Sequence, residues 1–464
     1  MPVPTKKIPD ITIDFVPSEK QAEAWDALTD NETTFIGYGG SGNSGKSWLE
    51  CHYLTIMSFA YPGTGWFLGR ETLTVLKDTT LLTLWKVFKL YGITEGLHYK
   101  YHEKSAIIRF YNESEIFLLD LQFAPSDPLY QWLGGYEFTG GVVDESGEVN
   151  KQAIVALASR INRRKNAEYG IMAKILEGFN PSMTHIFTRY YLPWKKKELP
   201  PSHKFIKSLP TDNPSPDVAG WIQAIRASGD QQMIERLIDG NFEYENDPAC
   251  LISAEAISDM FSNTHVPAGR RCVTADIARM GGDRIVIIEW QGFRGRVIAF
   301  DRAKLTVSTT AIEAARMRNT CGKSDVLVDS DGMGSGVEDF GGFKGFVNGS
   351  SPLADPKKPI GADGKPVKEN FDNLKSQCAF RIAEIINEKG LYLECEDWMQ
   401  DLIMQELAQL KQKNMDSDGK RAIVPKDKMK EKLGRSPDFL DAILMRAWFE
   451  LKPKFVLTAT SNRA

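Results

Sequence analysis

Gly40-Ser41-Gly42-Asn43-Ser44-Gly45-Lys46-Ser47 matches the pattern G-x-x-x-x-G-K-[ST] at every fixed position. Upstream, Thr33-Thr34-Phe35-Ile36-Gly37-Tyr38 is a short run of β-branched, apolar and aromatic residues that reads as a strand. Downstream, Trp48 to Ala60 has the length and apolar content of a buried helix. A strand, a glycine turn and a helix N-terminus make a site for phosphate. The glycines let backbone N–H groups point inward, and the helix start adds partial positive charge. In such a loop the backbone from Gly40 to Gly45 cradles the phosphates. Lys46 reaches the β- and γ-phosphates, and the Ser47 hydroxyl sits on Mg²⁺. The stretch therefore predicts an ATP–Mg²⁺ site.

The flanking sequence fits that reading. Phe15-Val16-Pro17-Ser18-Glu19-Lys20-Gln21 leads into a helical stretch, and the Gln21 amide, both donor and acceptor, suits an adenine edge. Gly65 to Gly69 reads as a second strand ending at Arg70, and 105–110 with 115–121 as a hairpin. Phe138-Thr139-Gly140-Gly141-Val142-Val143-Asp144-Glu145 is a strand ending in two carboxylates, the Walker B arrangement. Asp144 is expected to hold the Mg²⁺ water shell, and Glu145 to orient and deprotonate the attacking water. Residues 173–179 form another strand, ending in Asn180-Pro181, where a polar side chain can sense the γ-phosphate.

Bulk numbers bound the possibilities. The 464 residues allow two or three domains, and 42% hydrophobic with 25% charged residues is ordinary for a globular chain. A net charge of −4 does not advertise a polyanionic partner, so a nucleic-acid surface must be a local patch. Six scattered cysteines without a C-x-x-C pair argue against a zinc site or disulfide framework and fit a reducing compartment. The N-terminal stretch lacks the apolar core of a signal peptide, and no run of 18 apolar residues suggests a membrane span.

Residues 210–217 are a Pro/Asp/Ser break, and 218–262 look helical and connective. We expect a P-loop ATPase domain over 1–210, a linker or helical subdomain over 211–264, and a second domain over 265–464. In the second half, Arg271 to Ala278 alternates as a strand carrying Asp276, and 285–290 and 296–301 continue it as an antiparallel meander. Asp325 to Asp329 is a fourth strand with an acidic end. Ser436-Pro437-Asp438-Phe439-Leu440-Asp441 opens a late helix, with Ser436 placed to cap it. This order of elements, each bringing an aspartate, describes an RNase H-like nuclease fold. Phosphodiester hydrolysis uses two Mg²⁺ held by carboxylate oxygens. Asp276, Asp329 and Asp441 are expected to converge on such a pair, Mn²⁺ being an alternative ion, with Asp283 and Asp438 as helpers. Residues 411–435 hold nine Lys/Arg against four Asp/Glu and read as a hairpin turning at 415–419 that grips DNA, or as a solvated basic face; Lys426, Lys428 and Lys430 are the candidate phosphate contacts.

A P-loop ATPase (RecA/ASCE-like) followed by an RNase H-like nuclease resembles the large terminase subunit of tailed bacteriophages. The resemblance rests on FVPSEKQ, GGSGNSGKS, GGVVDES, GFNPS, TADIARMGGDR, VLVDSDGMGSG and SPDFLDA, in the family's order. It implies a motor that uses ATP to pump double-stranded DNA into a procapsid and a nuclease that cuts concatemers. The implied partners are the portal protein of the procapsid, a small terminase subunit and further copies of the chain, a monomer in solution becoming a ring, usually pentameric, when docked. The implied location is the host cell cytoplasm, and the implied role of Asn180 is in the coupling motif. Relatives carry an arginine finger at one of two positions, and here Gly42 and Gly134 stand there. Arg160, favoured over Arg163 and Arg164, is the candidate supplied by a ring neighbour; Arg70 is the alternative acting in its own subunit. Two other readings stay open: a helicase-type ATPase with a fused nuclease, and a non-catalytic assembly protein on a P-loop fold.

Overall fold

Phe35–Gly39 (β1) is the strand on which the first half is built, and the Lys46–Ala60 helix follows it after the glycine loop. The computed structural model describes residues 11–124, 126–243, 249–277, 284–301, 305–330, 334–354, 370–413 and 419–451. The chain divides into two units, Met1–Glu245 and Asn246–Ala464.

The first unit is an eight-stranded sheet. To β1 it adds Gly65–Arg70 (β2), Tyr99–His102 (β3), Ile107–Phe110 (β4), Glu115–Asp120 (β5), Gly140–Val143 (β6), Ile175–Phe179 (β7) and His203–Lys207 (β8). The order is β3-β4-β5-β2-β6-β7-β1-β8. From β5 to β8 all neighbours are parallel, and β3 and β4 add an antiparallel edge. Parallel strands buried on both faces read as continuous apolar runs. Accordingly Trp66, Phe67, Leu68, Val142, Val143, Ile175 and Leu176 are all buried. The order has a direct consequence for chemistry. Strand β7 lies between β1, which leads to the glycine loop, and β6, which ends at Asp144-Glu145. The residue that leaves β7 is Asn180.

Close approach of backbones fixes two glycines. A Cβ on Gly39 would stand 2.1 Å from the carbonyl oxygen of Phe179, and one on Gly240 would stand 2.1 Å from that of Gly40. The helices Asp217–Ala227 and Gln231–Leu237 belong to this first unit and reach the glycine loop. Gly42 N–H donates to Leu237 O at 3.0 Å, and the Trp221 ring lies 2.9 Å from where a Gly42 Cβ would be.

The second unit is a six-stranded sheet made of Arg271–Asp276 (β9), Arg284–Gln291 (β10), Arg294–Asp301 (β11), Val326–Asp329 (β12), Lys344–Phe346 (β13) and Tyr392–Glu394 (β14). Its order is β13-β12-β9-β10-β11-β14. The pairs β9–β10 and β10–β11 are antiparallel, and β12 pairs parallel to β9. This is the RNase H-like order: a three-stranded meander extended by parallel strands on the side of its first strand. Gln412–Lys413 (β15) and Ala422–Ile423 (β16) pair antiparallel as a separate ribbon whose turn lies outside the described residues. The late helix, Asp438–Leu444, packs on β9 and β10, tied by Thr274 Oγ1 donating to Ala442 O at 2.8 Å. Its start differs from the sequence expectation. Pro437 is the residue at the helix cap, and the buried Ser436 hydroxyl makes no hydrogen bond among the described residues. The Glu406 carboxylate serves the first turn instead, accepting from Leu440 N–H at 2.9 Å. Among the described residues no helix is long and apolar enough to cross a membrane.

Candidate functional site

The glycine loop is held from three sides. Gly45 sits in the left-handed region at φ 83°, where a side chain is costly, and so turns the chain into the helix. The Ser41 hydroxyl donates to Ser208 O at 2.9 Å, and Asn213 Nδ2 donates to Asn43 O at 2.8 Å. Gln21 Nε2 donates to Gly45 O at 2.9 Å, while its Oε1 accepts from Ser18 N–H at 3.0 Å. The Gln21 amide is thus placed as a brace of the loop and a cap of the Glu19–Thr29 helix rather than as an open reader of a base. Ser44 is buried in the loop, and Ser47 is half-buried on the first turn of the following helix.

Lys46 is buried, and its ammonium donates to Ser41 O at 2.7 Å and Asn180 Oδ1 at 2.9 Å. Both acceptors are neutral. A buried ammonium with no ion pair among the described residues, at a helix N-terminus, fits a polyphosphate. The other end of the Asn180 amide donates to Glu145, with Nδ2 3.1 Å from Oε1 and 3.0 Å from Oε2. Lysine can only donate and a carboxylate can only accept, so the orientation of the amide is chemically fixed. One side chain just past the end of the intervening strand therefore joins the P-loop lysine to the candidate base.

Glu145 lies in the left-handed region, at φ 48° and ψ 46°. Burial lifts its pKa above the usual carboxylate range; the positive charge of Lys46 opposes the rise, and Asp144 adds to it. Asp144 is buried and fully engaged. It accepts from the Thr80 hydroxyl, from Arg70 Nη1 at 3.3 Å and from Glu145 N–H at 3.0 Å. Glu50, one turn beyond Lys46, is buried too, and neither of its oxygens has a hydrogen-bond partner among the described residues. Burial first, then the charge of Asp144, push its pKa well above the ordinary range. Gly178 makes room for it, since a Cβ there would stand 1.8 Å from Glu50 Oε1.

The arginine candidates separate. Arg70 reaches Asp144 and also donates to Thr79 Oγ1 at 2.7 Å. Arg160 donates to Gly134 O at 3.0 Å, away from the Lys46–Asn180–Glu145 cluster of its own chain. Arg164 is structural, bonded to Gly63 O at 2.9 Å and Glu115 Oε2 at 2.8 Å.

In the second unit Asp276 ends β9 and Asp329 ends the adjacent parallel β12, where Val328 is already in register with Ala275. Asp276, Asp329 and Asp438 line one cavity of about 470 Å³, together with Lys375, Lys413, Lys426 and Lys430. Asp438 Oδ2 accepts from Arg284 N–H at 2.8 Å, and Asp329 Oδ1 accepts from Asn348 Nδ2 at 3.2 Å. Asp441 is held by two ammonium groups, Lys375 on Oδ1 at 2.6 Å and Lys426 on Oδ2 at 2.5 Å. Burial would raise its pKa, but Lys375 and Lys426 outweigh that and hold it low. Asp276 goes the other way: burial raises its pKa, Lys426 opposes, and the charges of Asp441, Asp329 and Asp438 raise it further.

A cluster of carboxylate oxygens is the donor set that hard divalent ions require. Among the described residues, however, no three His, Cys, Asp or Glu side chains close around one point, so the expected convergence of Asp276, Asp329 and Asp441 is incomplete. Buried carboxylates repel one another, and here the two lysines supply the balance by engaging Asp441. Asp283 lies outside the described residues. Lys426, expected on a DNA-gripping face, is drawn into the carboxylate cluster, whereas Lys428 is 71% exposed. Sequence reading missed Glu50 and Lys375. Only Lys375 left a signal, a lysine in the first turn of the Leu374–Asn387 helix capped by Asn373.

No protein-family model matches this chain, and no curated protein matches it. Among solved structures it is similar to the large terminase of a thermophilic bacteriophage in complex with ADP, at 13% identity and a TM-score of 0.40, over 92% of this chain and 99% of that one. It is similar to the nuclease domain of the large terminase subunit of bacterial virus Sf6, at 18% identity and a TM-score of 0.37, over 42% of this chain and 97% of that one. It is also similar to the large terminase ATPase domain of a Thermus phage, at 13% identity and a TM-score of 0.36, over 50% of this chain and 95% of that one.

Proposed function

We propose that this chain is the large subunit of a DNA-packaging motor, an ATPase and a metal-dependent endonuclease in one polypeptide. The observation that carries the ATPase reading is the single Asn180 amide bonded to both Lys46 and Glu145. The loop from Gly40 to Gly45 and Lys46 would bind the phosphates, and Ser47 and Asp144 would hold Mg²⁺. When bound, the ion neutralises charge on the phosphates. Glu145, made more basic than a surface glutamate by burial, accepts the proton of the attacking water. Asn180 holds that carboxylate in line and connects it to the lysine that grips the γ-phosphate. Arg70, beside Asp144, is the cation best placed to act within its own subunit; Arg160 would act only from a neighbouring copy.

In the second unit, Asp276, Asp329, Asp438 and Asp441 would hold Mg²⁺ or Mn²⁺, and Lys413 and Lys430 on the cavity wall would face the phosphates of double-stranded DNA. A metal held there would supply activation of a water and stabilisation of the leaving oxygen. Pumping into a procapsid through a portal, selection of DNA by a small subunit, and action as a ring follow from the motif resemblance. The helicase reading requires a second P-loop-type core, and the second unit instead has the RNase H-like strand order. The test is a pair of substitutions assayed for nucleotide binding and phosphate release. Lys46→Ala should weaken binding, and Glu145→Gln should bind ATP and fail to hydrolyse it. Normal turnover by Glu145→Gln would sink the assignment.

A further inference from the structure

We infer that Glu177 is a positioning residue for ATP hydrolysis, a buried carboxylate that holds both arms of the Lys46–Asn180–Glu145 cluster; this deepens the ATPase reading above and rests on it. Glu177 lies in the middle of β7, whose other side chains are apolar, and it is 0% exposed. Removing a carboxylate from water is costly unless every lone pair is engaged, and an apolar side chain would fill the position more cheaply. Here each oxygen has two polar partners. Oε1 accepts from Arg189 Nη1 at 3.0 Å and from the Tyr190 hydroxyl at 2.7 Å. Oε2 accepts from the Ser146 hydroxyl at 2.6 Å and faces His185 Nε2 at 3.2 Å.

The four partners come from two segments, and each segment adjoins the chemistry. Ser146 is the residue after Glu145. Glu145 is a non-glycine residue in the left-handed region, a conformation that persists only where its surroundings impose it. The Ser146–Glu177 bond pins the turn that imposes it, and Glu148 N–H closes that turn on Glu145 O at 2.8 Å. His185, Arg189 and Tyr190 follow Asn180-Pro181. The chain from Glu177 to Tyr190 is thus a loop whose two ends meet at one carboxylate, with Asn180 inside it. Arg189 and Tyr190 belong to a π-helical turn, Phe187–Tyr191, a rare geometry common at functional sites. Tyr190 also packs on β1, its ring 2.9 Å from where a Gly37 Cβ would stand, so the same hub touches the strand that leads into the P-loop. Burial alone would raise the Glu177 pKa; Arg189, His185 and Ser146 outweigh it and keep the group ionised.

The test uses the full chain with Ser146→Ala, Glu177→Gln and the double variant. The measurements are kcat and KM for ATP, binding of a fluorescent ATP analogue, and thermal melting. Small misplacements of reacting groups cost on the order of 10²-fold in rate. Glu177→Gln should therefore lower kcat by about that factor, with analogue affinity unchanged and cooperative melting retained. Ser146→Ala removes one of the four contacts and should lower kcat about tenfold, again without loss of affinity. Because both act through one hub, the double variant should be no worse than Glu177→Gln alone. Wild-type kcat in Ser146→Ala together with a Glu177→Gln chain that loses turnover, affinity and melting in proportion would make Glu177 a structural residue and overturn the proposal. So would wild-type turnover in both single variants. A wild-type chain that releases no phosphate, or full turnover in Glu145→Gln, would overturn the ATPase reading itself and this inference with it. Those controls are scored before the hub variants, so the two failures are told apart.

Discussion

Asn180 shows how far a residue can be read before its neighbours are known. The sequence places it at a strand end after the P-loop and before a proline; the structure gives it two partners of opposite charge, Lys46 and Glu145. Asn180→Ala should lower phosphate release more than ATP affinity, since the P-loop and Lys46 remain while the carboxylate loses its guide; equal losses in kcat and affinity would contradict this. The residues that escaped reading did so for definable reasons. Glu177 and Glu50 sit inside apolar runs, ILEGF and WLECHYL, where one carboxylate does not disturb the hydrophobic pattern. Lys375 shows in the sequence only as a lysine in the first turn of an Asn373-capped helix, because its role comes from meeting Asp441 across 66 positions of sequence. Its ammonium competes with any cation for that carboxylate. Lys375→Met should therefore lower the Mg²⁺ concentration that half-saturates DNA cleavage by about tenfold, the worth of one charge-assisted hydrogen bond. A rise in that concentration would mean that Lys375 shapes the site instead.

Elements were legible where their period was strong. The strand–loop–helix around Lys46, the strand before Asp144 and the β9–β10–β11 meander all form where apolar runs and turns placed them. The start of the Asp438–Leu444 helix was misread, because its first turn is served by Glu406 from a distant helix and not by the adjacent Ser436. Gly39→Ala would drive a Cβ to 2.1 Å from the Phe179 carbonyl, so β1 and β7 must part. The cost should be about 1–3 kcal/mol of stability, visible in denaturant unfolding of the full chain. The β7 hub also has a pH signature. The native pKa of Glu177 is held below its ordinary value of 4.5, so the native state binds fewer protons than the unfolded state. Its stabilisation is therefore present above about pH 4.5 and lost as the pH falls below it. Glu177→Gln should flatten this acid limb of the unfolding curve; an unchanged acid limb would show that Glu177 carries no such linkage.

At the scale of the whole chain, two units carry two separate clusters of buried polar and charged residues. Fold class was readable because each unit declares itself through element order: a parallel sheet around a P-loop in one, a meander with parallel additions in the other. The detail of the carboxylate site was not readable, because lysines distant in sequence settle the charge of its aspartates. Since the two sets of residues lie in separate units, their losses should be separable. Asp276→Ala should abolish Mg²⁺-dependent nicking of plasmid DNA and leave ATP turnover intact; loss of both would contradict this division. Mg²⁺-dependent phosphate release from the full chain, wild type against Glu145→Gln, at saturating ATP with DNA present, decides whether Lys46, Asn180 and Glu145 form an ATP-hydrolysing cluster. The wild type should release phosphate, and the variant should lose on the order of 10²-fold or more in rate, with ATP still bound. Equal rates in the two proteins would contradict that assignment.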